Sequence, residues 1–474
     1  MAQAVKTHRS EIENRPGLVG WYDATRVLYN QVVMFYFDLY QAHPGLLGLN
    51  QKDALTQAEK LTHRTKENPT PLWPLDKAID ADIPTMVRRA AINAARGAFQ
   101  SFRSTFKRWQ KQKAKFEAKG KRFHPRPPVP PRTFNFNLPF YKKMYKERTD
   151  SSIMVRLYSG SSWQWVKLRL KGTTLPLGWE PGSPIITRHR GRLRLHTPLE
   201  KPVQKPVKAL EQVAHNPQLR VCAVDLNLGD ALAVCTILQA DGTEVATRFM
   251  RGGQELHARR RRLLGKVAVK RSQSGILTEG EVDNVKLWQK IQAIDEYEAH
   301  RVSRRIVEFA QAYGATILIF EHLDNLKPQK GRYSQRGNEK RAYWLKGKIV
   351  KFARYKAWEQ GILTSRVSPA FTSQDCSACG HRPVARYATG EAPLEYRPGG
   401  PLYLCPNCLM HGNADHNAAL NIGFRFFHRS FRYLSESLSS KGPGVPVVNP
   451  IVRQQFAGWQ DRRNGLALPS FFLA

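Results

Sequence analysis

Two closely spaced cysteine pairs constrain the fold of this chain more than any other feature. They are Cys376-Ser-Ala-Cys379 and Cys405-Pro-Asn-Cys408, and Gly380 follows the first pair. Two matched C-x-x-C pairs supply four thiolates, the ligand set of a zinc ribbon, whereas a redox motif needs only one pair. The chain between them must therefore fold back around one Zn²⁺ ion. Four thiolates fill its coordination sphere, so this zinc is structural and leaves no open position for chemistry.

The remaining cysteines, the N-terminus and the most apolar stretch together indicate the compartment in which the protein works. Cys222 and Cys235 lie in apolar runs and are expected in the core, and six cysteines among 474 residues are too few for a disulfide scaffold. The N-terminus lacks the continuous apolar region of a secretory signal. The most apolar stretch, Val27 to Tyr40, is interrupted by polar residues and is too short to cross a bilayer. We expect a cytoplasmic protein with no membrane contact.

The charge of the chain indicates its class of partner. Lys plus Arg number 75 and Asp plus Glu number 38, which gives a formal net charge of +37. Such a surface repels itself unless a polyanion neutralises it, which argues against small-molecule metabolism and favours nucleic acid. The basic residues are spread over several segments rather than one stripe, which is more separate basic surface than a single duplex contact would need.

The N-terminal half predicts basic helices followed by a small sheet. Leu18 to Leu47 has the spacing of a helix that stops at His43-Pro44-Gly45, and a second helix runs from about Ile83-Pro84 towards Lys119-Gly120. The later part of the second helix is basic with interleaved aromatics, which either face the core or stack on nucleic acid bases. A proline-rich connector, residues 124–131, precedes strands that alternate apolar and cationic residues and predict an antiparallel sheet or barrel.

From Arg220 the pattern becomes α/β. Three short strands are predicted at Val221–Leu228, Ala231–Leu238 and Glu244–Phe249, followed by a basic segment, a long helix and a buried strand at Ala315–Phe320. Three meandering strands, a helix and another strand form the order of a ribonuclease-H-like core.

Three acids of this region are candidate metal ligands. Asp225 lies inside an apolar strand, where an unpaired carboxylate would cost several kcal/mol. Glu321 ends a later strand and Asp415 opens a probable helix, where its alternative role is that of N-cap. Each acid alone is more often structural, but together they can meet at one sheet edge and hold two Mg²⁺ or Mn²⁺ ions for phosphodiester hydrolysis.

Five motifs closely resemble the split RuvC-like nuclease and inserted zinc ribbon of TnpB proteins and type V CRISPR effectors. They are Val224-Asp-Leu-Asn-Leu-Gly229, Ile319-Phe-Glu-His-Leu323, Thr372-Ser-Gln-Asp-Cys-Ser-Ala-Cys-Gly380, Cys405-Pro-Asn-Cys408 and Asn413-Ala-Asp-His-Asn-Ala-Ala-Leu-Asn-Ile422. The resemblance implies that Asp225, Glu321 and Asp415 are the catalytic metal ligands and that the four cysteines hold zinc. One departure is Ala414, where the family often has Arg, which puts one phosphate contact in doubt.

The resemblance also implies a multidomain α+β architecture, a RuvC-like core with an inserted zinc ribbon. We expect a helical recognition region at 1–130 that contains part of the wedge, a β-barrel wedge-like domain at 131–215, and the first part of the core at 216–370. The zinc ribbon follows at 371–412, the last part of the core at 413–433 and a tail at 434–474. The tail has little pattern, and both disorder and folding on RNA remain open for it.

The resemblance implies a guide RNA and target double-stranded DNA as partners, in the prokaryotic cytoplasm, with the protein a monomer or a homodimer on one RNA. The leading hypothesis is an RNA-guided DNA endonuclease; the alternatives are a guide-dependent DNA-binding protein that does not cut, and a guide-independent, transposon-associated nuclease. The loop between the cysteine pairs, with Arg382, Arg386 and Arg397, is a further possible contact. Candidate nucleic-acid contacts are Arg103, Lys107, Arg108, Arg259, Arg260, Arg261, Arg262, Arg332, Lys346 and Lys348.

Overall fold

The chain is an α+β protein with more than one compact unit. The computed structural model describes residues 2–64, 68–189, 191–274, 283–324, 326–329, 331, 334, 338, 341–392, 400–439 and 446–465. One unit is Val5–Lys201, and the other combines Met1–Ala4 with Pro202–Ala474. Of the helices described, none has the length and apolarity needed to cross a bilayer. The mixed multidomain class predicted from the sequence is confirmed.

The first unit combines helices with an antiparallel sheet. The helices are α1 (Leu18–Ala42), α2 (Gln51–Thr62), α3 (Leu75–Ala78) and α4 (Thr85–Glu117), with a 3₁₀ turn at Pro44–Gly48. The strands are β1 (Ala2–Ile12), β2 (Tyr145–Lys146), β3 (Ser152–Tyr158), β4 (Trp163–Lys171), β5 (Glu180–Pro181), β6 (Ile185–His189) and β7 (Arg192–Val203). Their order is β2-β3-β4-β1-β7-β5, and β6 also pairs with β7.

Helix α1 packs its aromatic face against the first half of α4. Tyr29, Val32 and Tyr36 recur at helical spacing and are fully buried in a core shared with α4. The helix ends at Ala42, because the following Pro44 has no N–H to continue the ladder. The predicted stop at this proline is confirmed.

The second half of α4 is braced by the proline-rich connector. The rings of Phe102, Phe106, Trp109 and Phe123 form a continuous series with centroids 5.9 to 6.1 Å apart. The indole Nε1 of Trp109 donates a hydrogen bond to the carbonyl oxygen of Pro125 over 2.9 Å. The aromatics of this segment therefore pack on one another and on the connector while remaining partly exposed. Their stacking on bases stays a prediction.

The second unit is built on a five-stranded sheet. Its strands are β8 (Val221–Leu226), β9 (Ala231–Leu238), β10 (Glu244–Arg251), β11 (Ile317–Glu321) and β12 (Leu363–Val367), in the order β10-β9-β8-β11-β12. Strands β8, β9 and β10 form an antiparallel meander, while β11 is parallel to both β8 and β12. The predicted order of three meandering strands, a helix and a further strand is present.

Helices cover both faces of this sheet. They are α5 (Ala209–His215), α6 (Gly253–Ser274), α7 (Val285–Ala312), α8 (Lys346–Glu359), α9 (Ala414–Ser439) and α10 (Pro450–Gly465). Cys222 and Val224 of β8 pack with α7 and α8, whereas Val221 and Ala223 pack with α9 and α10. Alternate residues of one strand thus enter two separate cores, which explains why β8 reads as a continuous apolar run.

The C-terminal region packs on the protein's own core. Helix α9 continues to Ser439, and Val452, Phe456 and Trp459 of α10 are buried against the sheet face that α9 covers. Neither of the alternatives left open for the tail applies to these residues, because their apolar positions at helical spacing supply a buried face. Residues 440–445 and 466–474 lie outside the described part of the chain.

Helix α9 approaches the sheet most closely at a glycine, and this contact generates a prediction. A Cβ on Gly423 would lie 2.2 Å from Leu238 Cδ1 and 3.5 Å from Ala223 Cβ. Gly423→Ala is therefore expected to destabilise the protein by about 1–3 kcal/mol, although Ala is the better helix former. Thermal unfolding followed by circular dichroism measures this change.

Gly458 of α10 is the matched control. A Cβ there meets only the end of the Arg462 side chain, at 3.7 Å. Gly458→Ala is expected to raise stability by up to about 1 kcal/mol. Two alanine variants that both stabilise the protein would contradict the close approach of α9.

Candidate functional site

Two carboxyl groups lie level on neighbouring strands. Asp225 lies near the end of β8 and Glu321 ends β11, and these strands are adjacent and parallel. The last registered pair is Val224 with Phe320, so the two acids occupy the next level. Ala223, which shares the strand face of Asp225, packs with α9. Because side chains alternate along a strand, both carboxyl groups lie on the face that α9 covers.

The third acid belongs to the first turn of α9. Asn413 precedes this helix, and its Oδ1 accepts hydrogen bonds from the backbone N–H groups of Asp415 (3.0 Å) and His416 (3.1 Å). Asn413 is thus the capping residue, and the alternative role of Asp415 as N-cap is wrong. The carboxyl group of Asp415 lies close enough to Asp225 for its charge to act on that group.

Burial and mutual repulsion make the acid site (Asp225, Glu321 and Asp415) favourable for cations. Asp225 is 6% and Glu321 8% exposed. Burial raises the pKa of Asp225 well above its usual range, and the charges of Glu321 and Asp415 raise it further. Burial also raises the pKa of Glu321 and of Asp415. A bound cation would reverse these effects by stabilising the ionised carboxylates.

Two neighbouring side chains donate hydrogen bonds to the acids, and a third acts on them through its charge. Asn227 Nδ2 donates to Asp225 Oδ2 over 2.9 Å, and the hydroxyl of Thr372 donates to Glu321 Oε1. The positive charge of Arg386 offsets part of the rise that burial causes in the pKa of Asp225 and of Asp415. Asn227 and Thr372 were not singled out from the sequence, although both lie within the motifs that carry the family resemblance.

Two of the three loop arginines between the cysteine pairs are held by the protein. The buried side chain of Arg386 donates from Nε to the carbonyl oxygen of Gly400 over 2.8 Å. Arg382 pairs with Asp375 and lies 3.7 Å from the ring centroid of Phe371. The side chain of Arg386 is therefore buried rather than on the outer surface of the loop, and its charge acts on the acid site. The third arginine, at position 397, lies outside the described residues.

The acid site is more open than a single-ion cage. Among the described residues, the four cysteines are the only group of three or more His, Cys, Asp or Glu side chains whose ligand atoms all lie within 4.8 Å of one another. The three carboxyl groups do not form such a group.

The zinc cluster (Cys376, Cys379, Cys405 and Cys408) has the dimensions of a tetrathiolate site. The Sγ atoms of Cys376 and Cys408 lie 3.6 Å apart, as do those of Cys379 and Cys405. A tetrahedron with Zn–S bonds of about 2.3 Å has sulfur–sulfur edges of about 3.8 Å. The four thiols are free of disulfides and fit one Zn²⁺ ion.

A small sheet connects the zinc cluster to the acid site. It consists of β13 (Ala385–Tyr387), β14 (Leu402–Leu404) and β15 (His411–Asn413), in that order. Strand β15 runs directly into helix α9, and Arg386 lies on β13. The fold of the ribbon therefore sets the position of two groups at the acid site, Asp415 and Arg386.

The candidate nucleic-acid contacts divide into exposed and internal side chains. Arg260 is 3% exposed, pairs with Asp295 and lies 5.0 Å from the ring centroid of Tyr343. Lys346 Nζ donates to the backbone oxygens of Leu323, over 2.6 Å, and Leu326. Both cations serve the fold, contrary to their interpretation from sequence. The exposed candidates are Arg103, Lys107, Arg108, Arg259, Arg261, Arg262 and Lys348, and Arg332 lies outside the described residues.

Comparisons with known proteins match separate parts of the chain. Residues 6–159 match the Aq_aa04 family, and residues 347–422 match the Cas12f1-like, TNB domain. The chain is 31% identical over 257 residues to the TnpB-like protein aq_aa05 of Aquifex aeolicus, a match that covers 52% of this chain and 77% of that protein.

A second relative and a solved structure extend the comparison. The CRISPR-associated endodeoxyribonuclease Cas12f1 of Sulfoacidibacillus thermotolerans is 34% identical over 136 residues, which cover 29% of this chain and 28% of that protein. The structure of Alicyclobacillus acidoterrestris C2c1 in complex with single-guide RNA aligns with a TM-score of 0.55 at 10% identity, over 89% of this chain and 88% of that chain. At this identity the alignment establishes a shared fold.

The geometry of the zinc cluster generates a prediction. Cys405→Ser is expected to reduce bound zinc from about one ion per chain to a small fraction of that, because a hydroxyl is a far weaker zinc ligand than a thiolate. Mass spectrometry of the metal content after gel filtration measures this ratio. Cys222→Ala, which removes a buried thiol outside the cluster, is expected to leave the zinc content unchanged. Equal zinc in wild type and Cys405→Ser would contradict the assignment.

Proposed function

Because the chain belongs to the family of TnpB-like proteins and type V CRISPR effectors, we propose that it is an RNA-guided DNA endonuclease. It hydrolyses DNA phosphodiester bonds at a RuvC-like site with two Mg²⁺ or Mn²⁺ ions. A guide RNA and a short flanking DNA motif direct it to double-stranded DNA. The Cas12f1 relative is named as an endodeoxyribonuclease, and the C2c1 neighbour was solved with a single-guide RNA.

One observation carries the proposed chemistry: three acids from separate elements converge at one edge of a sheet. Burial and the charges of Glu321 and Asp415 both disfavour the ionised form of Asp225, and such a carboxylate is typical of a functional site. The strand order β10-β9-β8-β11-β12 supports a ribonuclease-H-like core beneath them. Hard carboxylate oxygens suit Mg²⁺ and Mn²⁺.

Each side chain of the site has a distinct task. The three carboxylates hold the ions, which when bound polarise the attacking water and stabilise the leaving 3′ oxygen. Asn227 fixes the carboxyl group of Asp225 through one oxygen, and Thr372 fixes that of Glu321. The charge of Arg386 offsets part of the repulsion between Asp225 and Asp415 before the ions bind.

Exposed cations support the proposed nucleic-acid partners. Helix α4 of the first unit carries three of these exposed side chains, those of Arg103, Lys107 and Arg108. Arg261 and Arg262 lie on α6 in the second. Cations of this kind bind phosphate without reading sequence, so specificity comes from base pairing with the guide RNA. The tetrathiolate cluster holds a structural zinc ion in this scheme.

The non-cutting alternative has less physical support. A guide-dependent protein that only binds DNA would gain nothing from two buried acids and a half-buried third whose charges act on Asp225, and a buried carboxylate costs several kcal/mol. A guide-independent nuclease would not require a net charge of +37 distributed over separate surfaces.

Asp225→Ala tests the proposed function. We expect it to reduce plasmid cleavage by about a thousandfold or more, because it removes the ligand most strongly coupled to the other two acids. Affinity for the copurifying RNA is expected to remain unchanged. The measurements are a cleavage time course with Mg²⁺ and an RNA filter-binding assay.

Asp461→Ala, which removes an exposed carboxylate of the same unit, is the control and is expected to cleave like wild type. Loss of RNA binding by Asp225→Ala would contradict the role of this residue. RNA and DNA binding by a wild-type protein that does not cleave would favour the non-cutting alternative, and cleavage without RNA would favour the guide-independent one.

A further inference from the structure

A buried polar network joins helix α9 to the segment that carries Thr372. Asn421 of α9 is 1% exposed, and its Nδ2 donates to the backbone oxygens of Thr372 (3.0 Å) and Asp375 (2.7 Å). Asn417, one turn earlier, donates from Nδ2 to the same Asp375 oxygen over 2.8 Å and accepts at Oδ1 from the backbone N–H of Ser377. These amides fix the path of the chain between β12 and the zinc cluster.

The C-terminal helix completes this network through one arginine. Arg463 of α10 donates from Nη2 to Asn421 Oδ1 over 2.9 Å. An amide that accepts at Oδ1 has its Nδ2 directed to the other side, towards the oxygens of Thr372 and Asp375. Arg463 therefore selects the orientation in which Asn421 holds Thr372.

Packing fixes the guanidinium of Arg463 in turn. It lies 4.1 Å from the ring centroid of Phe424, and a Cβ on Gly380 would lie 3.1 Å from its Nε. Its Nη1 is buried and has no hydrogen-bond partner among the described residues. Burial of an arginine with one donor unsatisfied is costly, so an apolar side chain would serve packing better at this position.

We infer that Arg463 is a positioning residue of the acid site, acting through Asn421 and Thr372 on the carboxyl group of Glu321. The sequence of contacts is Arg463 to Asn421, Asn421 to the backbone of Thr372, and the Thr372 hydroxyl to Glu321 Oε1. The inference rests on the proposed function, in which Glu321 is a metal ligand. Partners that orient metal ligands typically affect metal affinity or activity by about 10–100-fold.

Arg463→Met tests this inference, because Met retains the length and the contact with Phe424 but cannot donate to Asn421. We expect the concentration of Mn²⁺ at half-saturation to rise about tenfold. The free-ion signal in electron paramagnetic resonance reports it on protein freed of RNA by high-salt chromatography. Cleavage in Mg²⁺ is expected to fall about 10–100-fold through kcat, while zinc content and RNA affinity stay at wild-type values.

Arg453→Met is the matched control, since Arg453 is exposed on the same helix. It is expected to match wild type in every measurement. Arg463→Lys lacks the planar guanidinium that lies against Phe424 but retains a donor for Asn421. Because the inference depends on that hydrogen bond, the Mn²⁺ half-saturation of Arg463→Lys is expected to remain within about threefold of wild type. If Arg463→Met does not fold, the comparison of Arg463→Lys with wild type still tests the inference. A tenfold rise in the Mn²⁺ half-saturation concentration of Arg463→Lys would overturn it.

Three further outcomes are decisive. Unchanged Mn²⁺ affinity and cleavage in a folded Arg463→Met protein would reduce Arg463 to a packing role and overturn the inference. Loss of zinc together with a lower melting temperature would also overturn it, because α10 would then merely hold the ribbon folded. If wild type does not cleave with any copurified RNA, the proposed function fails, yet the Mn²⁺ measurement still supports or overturns the positioning role.

Discussion

The parallel pairing of β8 with β11 brings two carboxyl groups to the same level, and the rest of the second unit is arranged around that juxtaposition. Adjacent parallel strands hold in-register side chains on one face, so Asp225 and Glu321 cannot turn away from each other. Their neighbours respond in complementary ways. Helix α9 presents Asp415 to them, whereas Asn227 and Thr372 each occupy one carboxylate oxygen. The acids are restrained but not neutralised.

The segment that carries the four cysteines is firmly connected to the five-stranded sheet, although the two have separate cores. Asp375, directly before Cys376, accepts from Arg425 of α9 over 2.9 Å and from Arg382 of the ribbon. Strand β15 continues into α9 without a linker. The order of the ribbon is therefore transmitted to the acid site by covalent continuity and by buried hydrogen bonds, which hold distances more tightly than apolar contacts do.

Sequence reasoning can single out a residue that conflicts with its immediate surroundings. A carboxylate such as Asp225 within an apolar strand and two matched cysteine pairs are visible without a partner, because the local pattern alone is anomalous. It failed where a long-range contact decides the role. Arg260 meets Asp295 across 35 positions, and Lys346 binds backbone oxygens that no pattern reveals. Both cations looked like surface charge because their acceptors lie on other elements. The apolar face of α10 was overlooked for a similar reason, because its burial depends on contact with the sheet and α9, which are distant in sequence.

The brace along α4 has a thermodynamic consequence for recognition. Trp109 and the rings beside it fix the second half of the helix against the proline-rich connector, whose residues have little backbone freedom to lose. The exposed side chains of Arg103, Lys107 and Arg108 thus lie on a helical segment that is already ordered before a ligand binds. Because this helical segment is already ordered, it loses little conformational entropy when a ligand binds. More of the electrostatic attraction therefore contributes to the affinity. The stiffness of the segment also fixes the spacing of the charges, which favours a polyanion with a regular phosphate repeat over a flexible one.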